Sequence, residues 1–169
     1  MRVGIALGSN IGDRLKALES AREAIFNLEG VFKPALCSSI YETDPVESAP
    51  DSACFLNAVI EVEFAGDPSL LLKALQDLEA EMGRPFKRPR NAPRVIDLDI
   101  LYVGDLKISL PDLLIPHPRL HLRRFVLEPL AEIRPSLILP HQPHTVQDTL
   151  AKLNDPAGVR FAKTQWKPL

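Results

Sequence analysis

The stretch FLNAVIEVEF, residues 55–64, leaves the chain little choice of local structure. Leu56, Ala58, Ile60, Val62 and Phe64 fall on one phase of a two-residue period, with Phe55, Asn57 and Val59 on the other. A helix would scatter these apolar side chains round its circumference, whereas a strand gathers the first set on one face. The segment therefore predicts a strand with one face committed to a core.

The neighbouring segments supply what such a strand packs against. Val3, Ile5 and Leu7 predict a strand over residues 2–8, and VIDLDILYV predicts another over 95–103, with Ile96, Leu98 and Ile100 turned inward. Residues 31–42 read as a further strand, whose Pro34 puts its beginning at an edge or a bulge. Leu15, Leu18, Ala21, Ile25 and Leu28 recur at helical spacing, after a capping turn at Asn10 to Asp13 and before Gly30. Asp67 and Pro68 form an N-cap and first helical residue ahead of Leu71, Leu72, Leu75, Leu78 and Met82, and Gly83 stops that helix. The order β-α-β-β-α-β predicts a ferredoxin-like α+β core with a mainly antiparallel sheet. Both helices lie on one face, leaving the other for ligands or a further layer. Residues 123–133 and 145–153 predict two additional C-terminal helices that can cover part of the sheet. From Asn154 to Leu169 no pattern is clear, and with no repeat or linker the chain reads as one domain over residues 1–169.

Composition mainly excludes. With 169 residues, 46% of them hydrophobic, the chain can bury a core and gives no sign of disorder. A formal net charge of −2 offers no ground for nucleic-acid or membrane binding. Residues 1–8 are too short for a signal peptide and no run reaches transmembrane length, so the cytoplasm is the default location. Cys37 and Cys54 form neither a disulfide framework nor a metal pair, and His121, His141 and His144 have no zinc-site spacing.

Charge is informative where it is local. Arg84, Lys87, Arg88, Arg90 and Arg94 crowd one short segment with no acid among them, and Asp97 and Asp99 follow at once. Two apart on a strand, the aspartates face the same way with Cα atoms roughly 6–7 Å apart. Their carboxylates can converge on two magnesium ions about 3.5–4 Å apart. Magnesium combines carboxylates with phosphate oxygens, and guanidinium groups bind phosphate in pairs of hydrogen bonds. The pattern points to phosphate chemistry and leaves kinase, nucleotidyltransferase and phosphatase open. Residues 43–53, with two prolines and no periodicity, predict a loop that walls a binding site. Gly8 to Gly12 lack the GxxxxGK[ST] pattern and read as a strand-to-helix turn.

Four motifs in order resemble the 6-hydroxymethyl-7,8-dihydropterin pyrophosphokinase family: IALGSNIGDR (5–14), FLNAV (55–59), GRPFKRPRNAPRVIDLDIL (83–101) and IPHPRLHLRRFVLEPL (115–130). The resemblance implies ATP as donor, two Mg2+ ions, attack of the pterin hydroxyl on the β-phosphorus, and AMP as leaving group. It implies Asp97 and Asp99 as metal ligands, and Arg84 and Arg94 beside them as catalytic residues. Arg84, Arg90, Arg94, His117, Arg123 and Glu79 fall on phosphate- and ATP-handling positions. Thr43, Pro45, Phe55, Asn57 and Phe125 fall on the pterin pocket, with Phe55 and Phe125 as stacking walls and Asn57 reading the ring edge. Phe86 and Asn91 stand where some members carry an arginine and a tryptophan. Another magnesium-dependent phosphoryl or nucleotidyl transferase, or a noncatalytic ATP- or pterin-binding relative, would share part of this pattern. ATP and the hydroxymethyldihydropterin are the expected partners, with neither nucleic acid nor membrane, and a monomer is expected.

Overall fold

A computed structural model describes residues 1–44, 53–83, 94–155, 158–162 and 166. The first strand, β1 (Arg2–Ser9), is followed by α1 (Arg14–Phe26), β2 (Val31–Cys37), β3 (Tyr41–Thr43), β4 (Phe55–Phe64), α2 (Pro68–Glu81) and β5 (Asp97–Val103). The short strands β6 (Ile108–Ser109) and β7 (Leu114–Ile115) make a separate hairpin, before α3 (Arg124–Ile133), α4 (Val146–Lys152) and β8 (Val159–Phe161). The main sheet runs β5-β1-β4-β3-β8, with β2 also pairing β4, and every pairing is antiparallel.

The helices start where the sequence predicts. Asp13 accepts from Lys16 N at 3.0 Å to cap α1, and Asp67 accepts from Ser69 N at 2.7 Å to cap α2 ahead of Pro68. Gly30 and Gly83 follow the two helices at φ of +80° and +94°, a conformation that favours glycine. Both helices cover one face of the sheet. There Val3, Ile5 and Leu7 of β1, Leu56, Ala58, Ile60 and Val62 of β4, and Leu98 and Ile100 of β5 pack on Leu18, Ile25, Leu71 and Leu75.

Two boundaries depart from the periodicity. Residues 31–42 form two strands, not one. Ser38 N donates to Val59 O, but Val59 N donates to the Ser38 hydroxyl, both at 2.9 Å, so a side chain takes a place in the ladder. Registers of Cys37 with Ile60 and Tyr41 with Asn57 place one extra residue here, a bulge. A second irregularity lies between Phe32 and Leu36, bracketing Pro34 as expected. Strand β5 begins at Asp97 because the backbone of Arg94 is engaged elsewhere: Asn10 N donates to Arg94 O at 3.1 Å and Arg94 N to Asn10 Oδ1 at 2.7 Å.

Among the described residues, helices cover the second face of the sheet at one end only. Val126, Leu127 and Leu130 of α3, with Val146 and Leu150 of α4, pack on Val59, Leu101 and Tyr102. A bulge in β5 opposite Gly4 and Ile5 turns Leu101 and Tyr102 both into this layer. The Tyr102 ring lies flat on Gly4, where a Cβ would sit 2.2 Å from it. Its hydroxyl donates to Glu61 at 2.6 Å, and Glu61 is ion-paired with Arg134 at the end of α3. In the last turn of α3, Glu132 accepts from Ser39 N and Ser39 Oγ, each at 2.8 Å, and from Tyr41 Oη at 3.1 Å.

Candidate active site

The uncovered end of the second face is a cavity of about 410 Å³. Its floor is set by cross-strand register. Gly8 of β1 lies opposite Asn57 on one side and Asp97 on the other, and Ala6 lies between Val59 and Asp99. Asn57 and Asp97 are thus two strand spacings apart, about 10 Å, across a glycine. A Cβ on Gly8 would stand 3.1 Å from Asn57 Oδ1, so the missing side chain leaves the floor open.

The buried Asn57 amide donates from Nδ2 to Thr43 Oγ1 at 2.7 Å. Thr43 belongs to β3, beside β4, rather than to the loop expected from residue 43 onward. Phe55 and Phe125, from β4 and the first turn of α3, both line the cavity and are half-buried. The strands and α3 therefore bring aromatic rings and a fixed amide together from opposite sides of one slot.

At the other end of the slot lie the charges. Asp97 and Asp99 line the same cavity, as two residues of one strand phase must. The Arg94 guanidinium pairs with Asp97, and its buried Nε has no acceptor among the described residues. Arg123 Nη1 lies 4.0 Å from Asp99 Oδ2, with its guanidinium carbon 5.4 Å from the Phe125 ring centroid. Burial, then the neighbouring Arg119, pulls the Arg123 pKa down, while Asp99 and Asp97 oppose the shift. The His117 pKa is lowered to about 4, first by burial and then by Arg123 and Arg119. Its Nδ1 accepts from Arg119 N at 3.1 Å, and its own N–H is donated to Leu101 O at 2.8 Å. Glu79 stands off the cavity lining: it is buried beneath β5 and accepts from Leu98 N at 2.7 Å. Pro45, Arg84 and Arg90 lie outside the described residues, as do Phe86, Lys87, Arg88 and Asn91.

Sequence reading passed over several wall residues: Asp44, Arg119, Leu122, Asn154 and Asp155. None sits in a periodic segment or beside an aspartate pair. Arg119 had an available signal, its place two residues after His117 in a proline-fixed loop, and Asp44 lies in the 43–53 loop read as a wall.

Among the described residues, no group of three or more His, Cys, Asp or Glu side chains is placed to hold a metal ion. Two carboxylates on one strand face nevertheless fit magnesium, which takes one or two protein carboxylates and completes its shell with phosphate oxygens and water. The donor set is all oxygen, and the surrounding arginines supply complementary charge for the phosphates themselves.

Comparison with known proteins gives the family. Residues 4–135 match the family described as 7,8-dihydro-6-hydroxymethylpterin-pyrophosphokinase (HPPK). The chain is similar to the 2-amino-4-hydroxy-6-hydroxymethyldihydropteridine pyrophosphokinase of Bacillus subtilis, at 46% identity over 76% of this chain and 75% of that one. It is similar to the enzyme of the same description from Methylorubrum extorquens, at 39% identity over 94% of this chain and 96% of that one. The folic acid synthesis protein fol1 of Schizosaccharomyces pombe is 38% identical over 93% of this chain, which spans 21% of that longer protein. Among solved structures, wild-type Plasmodium falciparum HPPK-DHPS with pteroate superposes with a TM-score of 0.70 at 17% identity, over 89% of this chain and 42% of that one, a likeness of fold.

Proposed function

The chain belongs to the 7,8-dihydro-6-hydroxymethylpterin-pyrophosphokinase family, and from that premise we propose how its own residues divide the reaction. Members of the family transfer pyrophosphate from ATP to hydroxymethyldihydropterin in folate synthesis, and this chain is an ATP-dependent transferase of that kind. The observation that carries the assignment of roles is the row Asn57–Gly8–Asp97 across three strands. That row supports a reading in which Asn57 meets the ring edge and Asp97 the phosphates, since both line one cavity.

In this reading the pterin lies between Phe55 and Phe125. Its polar edge meets Asn57, whose rotamer is held by Thr43, and the resemblance assigns Pro45 to the pterin as well. A flat ring with donors and acceptors on its rim needs this combination of apolar faces and a fixed amide. The hydroxymethyl group then points toward Asp97 and Asp99. Those two carboxylates would hold two magnesium ions, whose chemistry when bound is to offset triphosphate charge. Arg94 and Arg123, with Arg84, Arg90 and His117, bind the phosphates, and Arg94 exchanges its contact with Asp97 for a phosphate oxygen as ATP enters. The alcohol oxygen forms the new bond to the β-phosphorus, the α,β-bridging oxygen leaves with AMP, and the alcohol proton is released. Positioning and electrostatic stabilisation supply most of the acceleration in such a transfer. His117 is neutral near pH 7 and serves as a hydrogen-bonding group, not a cation. Glu79 acts from beneath β5 on the strand that carries both aspartates.

We also propose that residues 1–169 work as one monomeric unit in the cytoplasm. No helix among the described residues is long and apolar enough to cross a membrane. Phosphorus NMR with mass spectrometry on ATP, magnesium and 6-hydroxymethyl-7,8-dihydropterin tests the chemistry. Equal AMP and pterin diphosphate are expected, with both lost on omitting the pterin and in Asp99→Ala. ADP with a pterin monophosphate would overturn attack at the β-phosphorus.

A further inference from the structure

The two walls of the slot come from different elements: Thr43, Phe55 and Asn57 from β3 and β4, and Phe125 from the start of α3, whose later turns pack on β4 and bond to Tyr41. Chain from beyond the matched residues 4–135 touches both. On the α3 side, Asp155 Oδ2 accepts from Arg124 N at 3.1 Å and Leu153 O accepts from Arg124 Nη2 at 3.1 Å. Arg123, at the N-cap position, provides no side-chain cap, so an acceptor distant in sequence does that work. On the β3 side, β8 pairs residue for residue with Tyr41, Glu42 and Thr43. Asp44 N donates to Gly158 O at 3.0 Å and Arg160 Nη2 to Asp44 Oδ1 at 2.7 Å. Farther along, Trp166 Nε1 donates to Ser38 O at 2.6 Å, and Arg22 stacks on its ring at 4.7 Å. Asp44 and Asp155 both line the cavity itself.

We infer that Asp155 and β8 together set the width of the pterin slot: Asp155 is a positioning residue for Phe125, and β8 positions Thr43. This rests on the pterin pocket assigned above. A flat ring held between two aromatic faces is sensitive to their separation, whereas ATP, bound mainly through the aspartates and the other arginines, meets the start of α3 only through Arg123. The clasp therefore acts chiefly on the affinity for the pterin and much less on that for ATP.

The test measures the Kd of 6-hydroxymethyl-7,8-dihydropterin with magnesium and a non-hydrolysable ATP analogue, and separately the Kd of that analogue, by calorimetry. Asp155→Ala removes the cap and is expected to weaken pterin binding about fivefold to tenfold, with analogue binding within about twofold of the parent. Asp155→Asn keeps an acceptor for Arg124 N and is expected to restore most of the loss. Arg160→Pro takes a backbone donor from β8 and the guanidinium from Asp44, and is expected to weaken pterin binding selectively as well. Thermal melting and circular dichroism confirm that each variant is folded. Parallel losses for both ligands, an unchanged pterin Kd, or no rescue by Asp155→Asn would each overturn the inference. Asn57→Ala separates the two levels. If it weakens pterin binding while Asp155→Ala does not, the clasp alone fails. If it leaves pterin binding intact, the pocket assignment fails and takes the clasp with it.

Discussion

Toward α1 and α2, β1 presents Val3, Ile5 and Leu7, all but inaccessible to solvent. Toward the other side the same strand presents Gly4, Ala6 and Gly8. The first face is useful for the volume it fills, the second for the volume it leaves. Even the two glycines differ: Gly4 makes room for the Tyr102 ring, while Gly8 makes room for something the protein does not itself supply. A sheet can hence carry a closed core and an open site on one set of backbones, provided that side-chain size is allotted by phase.

The largest effect that would test this division is a pair of substitutions on opposite faces. Asp97→Asn is expected to lower turnover by about 10³-fold with little change in melting temperature, since it removes charge from the reacting end and no packing. Leu75→Ala, wholly buried on the closed face, is expected to lose about 2–5 kcal/mol of folding stability while turnover per folded molecule holds. Comparable losses of turnover in both would mean that the faces are not separable.

A finer comparison uses the glycines. Gly4→Ala drives a methyl into the Tyr102 ring and is expected to cost about 1–3 kcal/mol in denaturant titration. Gly8→Ala meets Asn57 Oδ1, whose amide is held by Thr43, at 3.1 Å and Asp97 Cβ at an ordinary 4.0 Å. It is expected to leave stability nearly unchanged and to weaken dihydropterin binding by about tenfold, the equivalent of roughly 1.4 kcal/mol. Equal stability losses would erase the distinction between the two positions.

How much of this was legible follows the same line. Closed-face residues announce themselves by period, so β1, β4, α1 and α2 were readable, as was the shared phase of Asp97 and Asp99. The resemblance also pointed to Asn57, Phe55 and Phe125, which periodicity alone would leave as strand or core residues. What was not legible depends on tertiary docking. Nothing in SSIYET says that the Ser38 hydroxyl will replace a carbonyl in the ladder, because the partner is Val59 N, 21 residues away. Nothing in VRF marks it as a strand until the edge of β3 is there to receive it. Asp155 looks like any polar residue near a chain's end until its acceptor is set against Arg124 N.

The smallest expected effect concerns pH at the border of the two regions. With its folded pKa near 4 against an ordinary 6.5, His117 binds its proton more readily in the unfolded chain. Its contribution to stability is therefore whole above about pH 6.5 and is lost as pH falls toward 4. Equilibrium unfolding across that window should show a slope that flattens in His117→Asn. An unchanged slope would place the histidine in a wetter setting than its neighbours suggest.

The place of β5 has one more consequence. It is the outermost strand of the main sheet, and it carries the two carboxylates toward the cavity. Outermost strands invite pairing by strands of other molecules, because their amides and carbonyls are unclaimed. Here Glu79 takes the Leu98 amide, and the His117 amide takes the Leu101 carbonyl. The strand that carries both proposed metal ligands thus has two of its backbone groups claimed by partners outside the sheet, which leaves less of its edge for a foreign strand.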